Sequence, residues 1–75
     1  MMNNAYNKAI GKHLGELRRK KGLTQEQLAT KMQLSGCDMT RSALAKIEVG
    51  QRCLYPDELK AVKKVLDISY EELFI

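Results

Sequence analysis

The histidine and the two cysteines of this 75-residue chain, His13, Cys37 and Cys53, are the side chains best suited to ligate a zinc-type metal. No two of them stand at the short intervals that zinc ligands use. His13 lies beside the apolar stripe of the first predicted helix, where packing accounts for it. The carboxylates gather at helix N-termini, where capping and the helix dipole explain them. No glycine-rich phosphate loop, H-E-x-x-H or G-x-S-x-G pattern occurs in the chain. The sequence therefore predicts no catalytic residues, no metal, no cofactor and no enzyme.

A different chemistry stands in residues 39–52, MTRSALAKIEVGQR. At about 3.6 residues per turn, Ala43, Leu44 and Ile47 share one side, a core stripe of the usual kind. Arg41, Ser42, Ala45, Lys46 and Val49 share the other. That outer face combines two cations and a hydroxyl with a gap at Ala45, and core packing does not account for it.

The rest of the chain must position this face. Residues 5–21 read as a first helix, with Ile10, Leu14, Leu17 and Arg18 at helical spacing and Gly22 as its C-terminal cap. Thr24-Gln25-Glu26-Gln27 is a capping-box pattern. It opens a second helix, about residues 25–34, that buries Leu28, Ala29 and Met32. That helix is expected to stop by Gly36, leaving Cys37-Asp38-Met39 as connector. Thr40 caps the third helix, about residues 41–49, and Gly50 ends it. Pro56 suits the first position of a fourth helix, whose inner face is Leu59, Val62, Val65 and Leu66. Ser69-Tyr70-Glu71-Glu72 is a second capping box that opens a fifth helix, with Ile68 and Leu73 as a hydrophobic staple. The fold class read from this pattern is all-α with five helices. Residues 1–75 form one domain, and 1–4 are expected to be a disordered tail.

Charge agrees with a polyanion-facing surface. The chain has 13 Lys and Arg against 9 Asp and Glu, net +4. Residues 1–53 hold ten cations and four acids, whereas residues 54–75 hold three and five. A basic front with a mildly acidic back suits a polyanion. No apolar h-region follows Met1-Met2-Asn3-Asn4, and no run approaches the roughly 20 apolar residues of a membrane span. A cytoplasmic protein with reduced thiols and no membrane contact is expected.

Helix 2, a connector and a third helix with a polar, basic outer face make a helix-turn-helix arrangement. The major groove of B-DNA admits such a helix. There Arg41 and Lys46 would reach phosphates or guanine edges, and Ser42 would donate to or accept from any base. Ala45 would keep the helix close and touch a thymine methyl.

The stretches LRRKKGLTQEQLA, RSALAKIEVG and LDISYEELF resemble the Xre family of helix-turn-helix transcriptional regulators, which includes phage repressor and Cro proteins. The resemblance covers about residues 8–74 and implies a repressor-like DNA-binding domain with double-stranded DNA as partner. It implies a phosphate contact for Gln25, base contacts for Arg41, Ser42 and Lys46 around Ala45, and a backbone contact for Arg52. Thr40, as the helix-3 cap, joins this DNA-facing set. Arg18 and Glu48 map to the family's structural ion pair. The family most often dimerises through its C-terminal part, which here nominates Tyr70, Phe74 and Ile75 for a weak homodimer. Two departures stand out. About five extra residues lie in QLSGCDM, which is expected to lengthen helix 2 and tilt helix 3, and Val49 replaces a polar residue. The alternative function is a protein-interaction module of the same fold, of antitoxin or anti-repressor type.

Overall fold

The computed structural model describes residues 4–74. Five helices follow in chain order: α1 Asn4–Lys20, α2 Gln25–Leu34, α3 Arg41–Glu48, α4 Pro56–Leu66 and α5 Tyr70–Phe74. Among the described residues there is no strand. Of the tail expected over residues 1–4, Asn4 is already the first residue of α1, and residues 1–3 lie outside the described part. Ile75 lies outside it too.

Local chemistry sets the helix ends. The Thr24 hydroxyl accepts from the Gln27 amide at 3.1 Å, while the Gln27 side chain accepts from the Thr24 amide at 2.8 Å. Two otherwise orphaned N–H groups of the first turn are thus satisfied. Thr40 accepts from the Ala43 amide at 3.0 Å, and Ser69 and Glu72 repeat the reciprocal box at the start of α5. At the other end of α1, Gly22 takes φ +76, and the next amide, of Leu23, closes onto the Arg18 carbonyl at 3.1 Å. An L side chain pays a conformational penalty at that φ, and glycine does not.

One core joins all five helices. Leu14, Leu28, Met32, Leu44, Ile47, Val62, Leu66 and Leu73 are fully buried. α3 lies against α1 and α2, α5 against α1, and α4 against α2. The ring nitrogen Nδ1 of His13 stands 3.2 Å from the Leu73 carbonyl, which ties α1 to α5 and gives the histidine a structural place.

The α2–α3 connector differs from a plain polar link. Ser35 caps α2, and the Cys37 amide returns to the Met32 carbonyl at 2.9 Å. Cys37 then turns inward, Met39 is fully buried, and the Met39 carbonyl accepts from the Gln33 side chain at 2.6 Å. The connector therefore supplies core side chains of its own.

Candidate nucleic-acid interface

The buried positions of α3 fix its outer face. With Leu44 and Ile47 in the core, Arg41, Ser42, Lys46 and Val49 are exposed and Ala45 is half-buried between them. Val49 caps the C-terminal end of the helix. Among the described residues, Arg41, Ser42 and Lys46 have no ion pair or side-chain hydrogen bond, so their donors are available to a ligand. α3 lies on α1 and α2 by its other side, so this face is open.

A single carboxylate sets the position of α3. Glu48, its last residue, accepts from Arg18 Nε at 2.7 Å and from Arg18 Nη2 at 3.0 Å. The same carboxylate accepts from Gln25 Nε2 at 3.1 Å, while Arg18 Nη1 donates to the Leu23 carbonyl at 2.8 Å. The Arg18 and Glu48 side chains are 9% and 7% exposed, so this bidentate pair works in a largely dry environment. It ties the end of α3 to α1 and to the first residue of α2. Gln25 is half-buried, and its amide is already turned toward α3.

Arg52 has a different geometry from a free loop cation. Its guanidinium makes two bonds to Glu58, at 2.8 and 2.6 Å, one to the Cys53 carbonyl at 3.2 Å, and lies 4.5 Å from the Tyr55 ring centroid. Glu58 is buried and also accepts from the Tyr55 amide at 2.9 Å. The hydrogen bonds from Arg52 hold the Glu58 carboxyl below the usual carboxylate range, against the opposing effect of burial. Arg52 thus closes the α3–α4 loop from within. Glu58 is one of the carboxylates at helix N-termini, which the sequence explains by capping and the helix dipole alone. The signal for more was its place three residues after Tyr55, the reach of a side chain back to an N-cap amide.

Two glycines of α1 also shape the site. A Cβ on Gly11 would stand 2.1 Å from the Ile47 carbonyl oxygen, and one on Gly15 would stand 3.0 Å from Glu48 Oε1. Their spacing of four on one helix face is the readable sign of a close helix approach.

The thiols of Cys37 and Cys53 are both free. Burial, with nearby acids, pushes the Cys37 thiol up, away from a reactive thiolate. Among the described residues, no group of three His, Cys, Asp or Glu is placed to hold a metal ion, and no helix is long and apolar enough to cross a membrane.

Fold and surface together define a helix-turn-helix DNA-binding domain. The sequence profile of the helix-turn-helix family matches residues 14–73, and the chain belongs to that family, in its Xre and Cro-like group. The crystal structure of the restriction-modification controller protein C.AhdI from Aeromonas hydrophila is similar over nearly the whole chain. The TM-score is 0.84 and the identity 35%, over 95% of this chain and 96% of that one. No curated protein sequence matches significantly. The protein is a DNA-binding transcriptional regulator.

Proposed function

We propose that the protein is a sequence-specific regulator that lays α3 in the major groove of double-stranded DNA. The observation that carries this reading is the open face of α3, where unpartnered Arg41, Ser42 and Lys46 surround the gap at Ala45. Arg41 and Lys46 reach guanine edges or phosphates, Ser42 reads either kind of base edge, and Ala45 and Val49 meet thymine methyl groups. Thr40 holds the start of the reading helix, and the half-buried Gln25, with one amide hydrogen on Glu48, has the second left for a phosphate beside it. Arg52, bound to Glu58, shapes the flanking loop, and its side chain keeps 26% of its surface for a backbone contact. Likeness to C.AhdI supports a controller role of the restriction-modification kind. The open basic face of α3 also favours DNA over a purely protein-binding module.

Selection from a random duplex library at near-physiological salt is the direct test, and an enriched half-site is expected. Arg41→Ala should then weaken binding to that site by about 1–3 kcal/mol and relax preference at one base position. Specific and non-specific binding both unchanged in that variant would overturn the docking.

One α3 reads few base pairs, and a symmetric pair of reading helices about 34 Å apart reads enough for a genome. Tyr70 and Phe74 are exposed at the end of the fold, and Phe74 borders a hollow of about 170 Å³ lined by Tyr6, Ile10, Leu54 and Leu59. These aromatic residues support a weak homodimer formed on DNA; Ile75, which the family resemblance also nominates, lies outside the described residues. Sedimentation with a palindromic duplex should show two chains per site, and truncation after Leu73 should abolish that cooperativity. Unchanged cooperativity in the truncated chain would place the interface elsewhere.

A further inference from the structure

A groove of about 330 Å³ runs between α1 and the junction of α2 with α3, lined by Gly11, Lys12, Gly15, Arg19, Gln25 and Val49. Gly15 is what opens it. With no Cβ there, the Arg19 guanidinium folds back over the helix, its Nη1 and Nη2 lying 3.3 and 3.4 Å from where a Cβ would stand. The neighbouring carboxylate makes no ion pair with it. Glu48 is taken by Arg18 and Gln25, and the Arg19 guanidinium has no ion pair or hydrogen bond among the described residues. Lys12, about two turns back along the same stripe of α1, is likewise exposed and without an ion pair. The groove therefore holds two unpaired cations and ends at Gln25 and Val49, the border of the α3 reading face.

Acting as a dipole partner for the C-terminal end of α1 requires Arg19 only to be near that end. It does not require the guanidinium to lie inside a groove opened by a glycine. From this arrangement we infer that the α1 groove is a second anchoring site, in which Arg19 and Lys12 each take a phosphodiester of the same duplex that α3 reads. The inference rests on the major-groove reading. Bound there, the phosphates would fix the angle at which the duplex crosses α1, so this anchor sets orientation and carries no base preference.

Salt dependence tests it. Affinity for the selected duplex and for a scrambled one is measured between 50 and 200 mM salt for the wild type, Arg19→Gln, Lys12→Gln and Lys60→Gln. Lys60 is exposed on α4, away from this groove, and controls for the loss of one charge. Each phosphate contact contributes about 0.9 to the slope of log affinity against log salt. Arg19→Gln should lower the slope by about that amount on both duplexes. The ratio of wild-type to variant affinity should therefore shrink about three- to fourfold across the salt range. Lys12→Gln should act the same way, the preferred half-site should not change, and Lys60→Gln should leave the slope alone. An unchanged slope in Arg19→Gln, or an equal fall in Lys60→Gln, would overturn the groove as an anchor. If the enriched half-site and the Arg41→Ala effect persist in that case, the major-groove reading stands. A wild type that selects no duplex would overturn both.

Discussion

Gly11→Ala is expected to lower the melting temperature by roughly 12–24 °C, the equivalent of about 3 kcal/mol in a domain of this size. The added Cβ would lie 2.1 Å from the Ile47 carbonyl oxygen and 2.9 Å from that of Glu48. Both atoms are backbone of α3, so no flexible side chain can move aside. Overpacking of a core costs about 1–3 kcal/mol, and a rigid obstacle belongs at the upper end of that range or beyond. Alanine's better helix propensity returns only about 0.5–1 kcal/mol. The informative comparison is Gly22→Ala, where no atom lies within 4 Å and the penalty is the left-handed φ of +76 alone. That change should cost about 1–2 kcal/mol. Thermal melts placing Gly11→Ala within a few degrees of the parent would mean that α1 and α3 do not approach this closely.

Arg18→Ala should cost about 3–5 kcal/mol, because it leaves the buried Glu48 carboxylate with only the Gln25 amide as partner. Glu48→Ala should cost a similar amount by stranding the Arg18 guanidinium on the Leu23 carbonyl. The two changes remove one interaction, so the double variant should lose about 0.5–3 kcal/mol less than the sum of the single ones. Urea unfolding of the four proteins measures this. Additivity within about 0.3–0.5 kcal/mol would show that the pair contributes nothing as a pair. Net stabilisation relative to an apolar replacement is a separate quantity, since desolvation opposes the attraction.

The helices were legible because their end signals are local. Thr24, Thr40, Ser69 and Pro56 each act within one turn, so a window of a few residues contains both partners. The face of α3 was legible for a related reason: once Leu44 and Ile47 are inside, the helical period dictates which residues face out. What was not legible depends on where the chain goes next. Met39 reads as part of a polar link, and its burial follows from the turn at Gly36, φ +96, which sends the connector back under α2. Arg52 reads as a free cation until the loop brings Glu58 within 2.6 Å of it. Gly11 reads as a weak spot in a helix until α3 is laid across it. Each of these needs a partner from another element, and spacing within one element does not reveal such partners.

The core and the Glu48 junction grip α3 through Ala43, Leu44, Ile47 and Glu48, while Arg41, Ser42 and Lys46 are exposed and make no ion pair or side-chain hydrogen bond among the described residues. Exposed positions of that kind usually change stability by no more than about 0.5 kcal/mol when substituted. Variation at these three residues is therefore nearly neutral for folding. Successive single substitutions can pass through well-folded intermediates, each with a different outward chemistry. Descendants of such a chain can diverge in what they recognise while their interiors remain alike, so kinship in the core says little about kinship in the target.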